Sequence, residues 1–422
     1  MVSGRDFTIG WDEPDNASRL IDGTYLLNKV REKMHEMRVD SVGTLFRVIG
    51  LSRSESILFS MWIKKKEVGV KTRKLKRFCN ALGIPYEELE LMKVIKDRDF
   101  PYDLTSPAIV KLYTHILNEG SIRGPSLTRL KATYVNRDPV LVKMVVDLIK
   151  SIKGSYSIPP PSKEGLEVVM DYTTARLLIS AGLPIGRKVL TNPNLHPAIF
   201  KDKDLAKYHV LVTFLEEGSS YLSLSRHGTL TLGLSMGRNV DVTEILPSYI
   251  REELVRRYRG KSLSISELPY PLLCEIFTNP MLAPNALIQD YVLVRSFLKE
   301  FDERLSIGDI NCSYIHVSKK GRVTISYRFN IKSEESVRAF YEIFIRDANT
   351  GAWKEEKLKA QLSLLEEYSG RRISREQWLA IKEEEEMNKW QRIPLEWIVE
   401  KARRLLPEIT WLDDPSCLRR LI

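Results

Sequence analysis

Two stretches of the chain, about a hundred residues apart, share one pattern of apolar and polar positions. Residues 109–121 read Ile-Val-Lys-Leu-Tyr-Thr-His-Ile-Leu-Asn-Glu-Gly-Ser, and residues 208–220 read Tyr-His-Val-Leu-Val-Thr-Phe-Leu-Glu-Glu-Gly-Ser-Ser. Each is apolar at helical spacing, ends in Glu-Gly-Ser and runs into strand-like alternation. We expect Gly120 to end its helix in the left-handed conformation. The pattern predicts two helices that each end in a carboxylate and are related by an approximate two-fold axis.

The alternating segments predict antiparallel strands with one apolar and one polar face. The polar positions are Arg129, Lys131 and Thr133 after the first helix, Ser223, Ser225, Thr229 and Thr231 after the second, and Arg322, Thr324, Ser326 and Arg328 in a later hairpin. Such a face is typical of any sheet that is wetted on one side. Its content of Arg, Lys, Ser and Thr, with few acids, also suits contacts to bases and phosphates.

The order of elements predicts an α+β protein. Residues 98–200 and 201–368 each read as helix, two strands, helix, two strands, helix, the second with insertions. Residues 369–422 read as a charged helical extension. The pattern thus predicts two related units in one chain.

A small helical module precedes these units, over residues 23–97. Apolar spacing predicts helices over residues 41–49, from Ser52 or Ser54 to about residue 66, and over residues 72–82, with Gly50 in the intervening turn. Short helices around a turn, with a basic flank, are the ingredients of a helix-turn-helix. A helical bundle with a solvated basic face is the alternative.

Composition places the chain among globular proteins with an anionic partner. Its 422 residues carry a net charge of +10, with 43% hydrophobic and 28% charged residues. Residues 1–22 hold two basic and five acidic groups and read as an acidic tail, whereas residues 23–97 hold sixteen basic and nine acidic groups. The basic excess favours nucleic acid over a membrane as the partner. Without a secretory signal or a paired-cysteine pattern, we expect a cytoplasmic, nucleoid-associated protein.

Residues 24–92 resemble the Cro/repressor-type helix-turn-helix family, with residues 41–49 as the positioning helix and residues 53–66 as the recognition helix. The resemblance implies that Arg53, Ser54 and Ser56 face base edges. Lys64, Lys65 and Lys66 would then meet phosphates, which agrees with the eight Lys and Arg against one Glu over residues 64–77.

Residues 105–366 resemble the single-chain form of the LAGLIDADG homing endonucleases. The twin Glu-Gly endings carry the likeness, together with the Gly-Leu-Pro text at residues 182–184 and the closing text of the second unit. The resemblance implies that the sheets form a saddle in the DNA major groove and that Glu119 and Glu217 hold Mg²⁺ or Mn²⁺. It also implies that Lys188 and Lys354 are auxiliary bases.

The chain departs from that family along the two helices. Thr114 and Val212 stand where the family has Gly or Ala, and Asn118 and Glu216 stand where it has a small residue. We expect a Mg²⁺-dependent, sequence-specific DNA endonuclease that acts as a monomer. A non-cleaving transcriptional regulator and an RNA-splicing maturase that binds structured RNA are the alternative functions. The alternative for Glu119 and Glu217 is that they are only polar residues at the ends of their helices.

Overall fold

The computed structural model describes residues 8–9, 18–85, 88–89, 102–124, 130–153, 166–278, 282, 284–387 and 395–406. Within these residues the protein is a mixed α+β structure whose sheets are all antiparallel. The strand pair Thr8–Ile9 and Tyr102–Asp103 joins the start of the chain to the segment after the helical module.

The N-terminal module, residues 18–89, has a hydrophobic core of its own around Phe46, Phe59 and Phe78. Its elements are the strand Ser18–Asp22, the helices Gly23–Glu36, Val42–Val48 and Arg53–Trp62, the strand Glu67–Lys71 and the helix Thr72–Leu82. Ser52 is the N-cap of the third helix, in a capping box with Glu55. Gly83 ends the last helix at φ +69°.

Two expectations about this module are wrong. The third helix ends at Trp62, not near residue 66, so Lys64, Lys65 and Lys66 lie beyond it. The end of the expected acidic tail is a strand, Ser18–Asp22, which pairs with Glu67–Lys71. The pairing explains both results, because it draws the chain after Lys66 into extended structure and buries Val68 and Val70 in the core.

The next elements surround a three-stranded sheet of Gly120–Arg123, Lys131–Asn136 and Leu166–Met170, in that order. The helix Pro107–Asn118, called the first motif helix, leads into it. The helices Pro139–Lys153, Tyr172–Ser180 and Lys188–Thr191 complete this part. Arg129 lies outside the described residues. Residues 154–165, which precede the third strand of this sheet, lie outside them as well.

A five-stranded sheet follows the second motif helix, Lys203–Glu217. Its spatial order is Lys261–Ser264, Asn311–Val317, Val323–Ile331, Leu230–Asp241 and Gly218–Leu224. Helices of this part are Ser248–Tyr258, Tyr270–Thr278, Asn285–Phe301, Glu334–Phe344 and Trp353–Glu367, with 3-10 turns at Pro197–Phe200 and Ile265–Glu267. Residues 242–247 form a loop between the strand Leu230–Asp241 and the helix Ser248–Tyr258. Ser333 is the N-cap of the helix Glu334–Phe344.

One continuous hydrophobic core serves both sheets and reaches from Leu104 to Leu406. The C-terminal helices Arg375–Met387 and Leu395–Leu405 contribute to it through Ile381 and Ala402, and Leu395–Leu405 packs on Pro139–Lys153. None of the helices in the described part combines the length and apolar content that a membrane crossing requires.

Candidate active site at the ends of two packed helices

The two motif helices pack side by side and are buried along almost their whole length. Pro107 begins the first, where a missing N–H costs nothing. Gly120 does not take the predicted left-handed conformation. A Cβ at Gly120 would lie 2.7 Å from the Ile116 Cα, and one at Gly218 would lie 2.6 Å from the Phe214 carbonyl oxygen. The glycine after each acid is therefore required by close backbone approach, as the chain leaves the helix directly into a strand.

The first polar cluster between the helices is centred on His115. Its Nδ1 lies 2.6 Å from the Oε1 of Glu216, and its Nε2 lies 2.8 Å from the hydroxyl of Tyr208. The Tyr134 hydroxyl donates to the same Glu216 oxygen at 2.7 Å. The His115 and Glu216 side chains are fully buried. The interface positions that depart from small residues thus hold a hydrogen-bonded network.

A second polar cluster is centred on His209. Its Nδ1 lies 3.1 Å from the Thr114 hydroxyl and its Nε2 lies 2.7 Å from an Asp290 oxygen. The Arg238 guanidinium donates to Asp290 at 3.0 Å and to the Asn118 side-chain oxygen at 2.7 Å. The two clusters together replace close contact between small residues by buried polar pairing. His115 and His209 are thus buried, hydrogen-bonded groups between the motif helices.

The two predicted acids lie at equivalent places. Glu119 is the C-cap of the first motif helix, and Glu217 is the last residue of the second. Glu119 and Lys354 line one cavity of about 670 Å³, the Glu119 cavity. Glu217 and Lys188 line another of about 110 Å³, the Glu217 cavity. Each acid therefore shares a cavity with the lysine that comes from the other half of the chain.

The two lysines sit on the carbonyl ends of the motif helices. The Lys188 ammonium donates to the backbone carbonyls of Ile116 at 3.1 Å and Leu117 at 2.7 Å, and also to that of Asn118. The Lys354 ammonium donates to the Glu216 carbonyl at 2.7 Å. A cation at a helix C-terminus satisfies free carbonyls and offsets the negative end of the dipole. Both lysines are thereby held beside the acids.

Burial first, and then the negative charge of neighbouring carboxylates, raises the pKa of both acids. The pKa of Glu119 is raised to about 7, first by burial and then by the negative charges of Glu217 and Glu216. The Glu119 side chain is accessible to solvent. The pKa is raised because protein atoms crowd the cavity in which the carboxylate lies. Burial also raises the pKa of Glu217, although the neighbouring Arg238 guanidinium opposes it. The acids form one electrostatic unit.

The lysines are shifted in the opposite direction. Burial lowers the pKa of Lys188 to about 8, and the negative charge of Glu217 limits the shift. Burial also lowers the pKa of Lys354, again against the charges of Glu217 and Glu119. An amine with a lowered pKa gives up its proton more readily, so a larger fraction of it is neutral near neutral pH.

The donor chemistry of this site fits a hard divalent cation. Carboxylate oxygens are the ligands that Mg²⁺ and Mn²⁺ prefer. The buried Oε2 of Glu216 has no hydrogen-bond partner, and Glu216 lines the Glu119 cavity. A cation would also relieve the repulsion that raises the Glu119 pKa. In the described ranges no three His, Cys, Asp or Glu side chains form a complete metal cluster. Water or a bound phosphate would therefore supply the remaining ligands.

The polar strand faces are mostly accessible. Lys131, Thr229, Arg322 and Arg328 are exposed, and Thr133, Ser223, Ser225, Thr231 and Thr324 are half-buried. Ser326 departs from the expectation, because it is only 9% exposed in the middle of its sheet, between Tyr314 and Asn239. The hydroxyls of Ser223 and Thr231 pair at 2.7 Å, and those of Ser225 and Thr229 at 2.6 Å.

The Glu119 cavity lies on the polar face of the three-stranded sheet. Ser121, Arg123 and Thr133 line it together with the acid. Sequence reasoning missed Arg123, although it continues the alternation that begins at Ser121. It also missed Arg238, whose signal was that it is the one cation in the strand Leu230–Asp241.

The predicted base-reading residues of the N-terminal module are only partly available. Arg53 and Ser54 are exposed at the start of the helix Arg53–Trp62, and Lys64, Lys65 and Lys66 are exposed just after it. The Ser56 hydroxyl instead donates to the Ser52 carbonyl at 2.9 Å, within its own helix. That bond makes Ser56 a poor base contact.

Comparison of the chain with family models, with curated proteins and with solved structures found no match.

Proposed function

We propose that the protein is a sequence-specific double-stranded DNA-binding protein that hydrolyses a phosphodiester bond at its target with Mg²⁺ or Mn²⁺. One observation carries the proposal: two carboxylates at the ends of packed helices, each sharing a cavity with a lysine held on a helix end. Acids and amines with shifted pKa values in a concave site are what hydrolysis of a charged ester requires.

The architecture proposed for DNA binding is a saddle made by two pseudo-symmetric units of the LAGLIDADG type. Similar strand order supports it. In each sheet the strand that leaves a motif helix lies at one edge, its hairpin partner lies next, and the strand that leads to a later helix lies third. The exposed cations Lys131, Arg322 and Arg328 lie on the polar faces of these sheets. Such faces supply phosphate contacts that position DNA and side chains that read bases.

In the proposed mechanism Glu119 and Glu217 would hold the divalent cation, and Lys188 and Lys354 would orient or deprotonate the attacking water. A bound divalent cation supplies activation of water and neutralisation of charge on the phosphate oxygens. Burial lowers the pKa of Lys188 to about 8, so that a larger fraction of its amine is neutral near neutral pH, and only the neutral amine can accept a proton. The helix-end carbonyls hold each ammonium in place, so no long side chain must be ordered during the reaction.

The test begins with a duplex selected from a random library by the full chain. Cleavage of that duplex is measured with Mg²⁺, with Mn²⁺ and with chelator, for the native chain and for Glu119→Gln and Glu217→Gln. The matched control is Glu244→Gln, since the Glu244 side chain is 82% exposed on the surface. The proposal expects metal-dependent cleavage that either active-site change abolishes and the control retains. Tight binding of the duplex without cleavage would contradict the proposed hydrolysis and support DNA binding alone.

A second candidate is a regulator that binds DNA without cutting it. The observation in its favour is the guanidinium of Arg238, whose side chain is only 10% exposed and which, with the two ammoniums, already offsets the acids. Such a site would need no metal to be neutral. Selective binding of structured RNA by the same chain would favour the maturase instead.

A further inference from the structure

We infer that Ile57 and Met61 of the N-terminal module read thymine methyl groups, an inference that rests on the proposed DNA binding. Both belong to the helix Arg53–Trp62, and neither was predicted as a contact from the sequence pattern. A thymine differs from the other bases in the major groove by its 5-methyl group, which an apolar side chain recognises by contact.

The outward face of this helix is apolar at its centre. Ile57 is 58% exposed and Met61 is 52% exposed, one helical turn apart. Arg53 and Ser54 precede them on the same side, while Phe59 and Trp62 point into the core. The face that this helix would present to a DNA groove therefore carries two apolar side chains, those of Ile57 and Met61. The Ser56 hydroxyl, in contrast, is hydrogen-bonded within the helix.

A groove beside the helix combines this apolar face with positive charge. The groove has a volume of about 730 Å³, and Ile57 and Met61 line one side of it. The other side carries Arg73, Lys74 and Arg77, all exposed, from the helix Thr72–Leu82. The acid of this region, Glu55, is used to cap its helix and pairs with Arg77 at 3.2 Å.

The charge around these side chains selects DNA as the occupant. Lys64, Lys65 and Lys66 follow the helix and are exposed as well. Cations beside the reading face complement the phosphates that border a major groove. An apolar protein partner would leave the charges of Arg73, Lys74 and Arg77 beside these side chains without a complement. The partner is thus a DNA duplex that carries thymines under this helix.

The experiment replaces each thymine of the selected duplex, one at a time, by deoxyuridine, which removes only the methyl group. Affinity of the full chain is measured by fluorescence anisotropy at fixed salt, for the native protein, Ile57→Ala, Met61→Ala and Val48→Ala. Val48 is the matched control, because it is 56% exposed on the neighbouring helix Val42–Val48 and does not line the groove.

Loss of the methyl at one or two positions is expected to weaken native binding about fourfold each, the effect of one buried carbon. That sensitivity should vanish in Ile57→Ala or Met61→Ala and persist in Val48→Ala. Equal sensitivity to deoxyuridine in all four proteins overturns the inference. Sedimentation tests whether the two side chains instead join two copies of the chain. A dimer that Met61→Ala dissociates, with DNA affinity unchanged, also overturns the inference. Absence of any selected duplex would instead count against the proposed function.

Discussion

The imidazole Nδ1 of His115 lies 2.6 Å from the Oε1 of Glu216, across the interface between the two motif helices. This pair occupies a position where small residues would let the helices touch. Buried hydrogen-bonded pairs fix the relative position of two elements because a shift would leave a polar group without a partner. The departures at Thr114, Asn118 and Glu216 therefore keep the acids in register by polar pairing instead of close packing.

Removal of one member of this cluster should destabilise the protein. We expect His115→Leu to lower the free energy of unfolding by about 3 kcal/mol, because Glu216 and Tyr208 then stay buried without their partner. Adding Glu216→Leu should cost less than the sum of the two single changes. Urea unfolding followed by tryptophan fluorescence measures both. A loss below about 0.5 kcal/mol for His115→Leu would contradict the role of the cluster, since that is the range of ordinary surface changes.

The glycines after the acids give a second prediction. Gly120→Ala and Gly218→Ala should each destabilise the protein by about 1–3 kcal/mol, because a Cβ there overlaps the preceding helical turn. Gly43→Ala is the control. Its Cβ meets nothing within 4 Å, so it should stabilise the N-terminal module by about 0.4–1 kcal/mol. Thermal unfolding measures the three variants, and a neutral Gly120→Ala would mean that the chain does not turn tightly there.

The carboxyl group of Asp138 predicts a dependence of stability on pH. It accepts N–H groups from Val140 at 3.0 Å and Trp353 at 2.7 Å, and burial raises its pKa to about 6. A raised pKa means that the folded state binds the proton more tightly than the unfolded state does. The stabilisation is therefore complete below about pH 4 and is lost as the pH rises to about 6.

Comparison with Asp138→Asn isolates this effect, because the amide does not ionise. The stability of the native chain relative to the variant should fall by about 2 kcal/mol between pH 4 and pH 6.5 and level off above about pH 7. Urea unfolding at matched ionic strength measures the difference. A constant difference across this range, or a rise with pH, would show that the Asp138 pKa is not raised.

Substitution of Lys188 should slow cleavage much more than it weakens DNA binding. Lys188→Met removes the ammonium from three helix-end carbonyls and a positive charge from beside Glu119, so cleavage should slow by at least about a hundredfold. The dissociation constant for DNA should change less than about tenfold. Lys357→Met is the control, because its ammonium also donates to a backbone carbonyl, that of Ser220 at 3.0 Å. Equal losses in both variants would make Lys188 a purely structural residue.

Local patterns predicted much of this architecture. The motif helices, the apolar strand faces and the cap at Ser52 follow from short-range periodicity and end signals. The gathering of Glu119, Glu217, Lys188 and Lys354 also agrees with expectation, although their chemical role stays a prediction. Short-range signals suffice when the same residues that make an element also mark its buried face.

Long-range pairing explains what the pattern could not supply. Nothing around His209 indicates that Asp290 and Arg238 will meet it, because they come from a distant helix and strand. The end of the third helix at Trp62 likewise depends on the strand Ser18–Asp22, far away in sequence. Such contacts are set by the whole fold, so local propensity gave the wrong boundary.

We propose that Glu119 and Glu217 form a metal-dependent site that cleaves a phosphodiester bond. The most direct measurement is the cleavage of the selected duplex by the full chain under single-turnover conditions, with Mg²⁺ added to chelator-treated protein. We expect cleavage that starts only with the metal and is lost in Glu119→Gln while DNA affinity is kept. Intact duplex under saturating protein and metal, or cleavage that Glu119→Gln leaves unchanged, would contradict it.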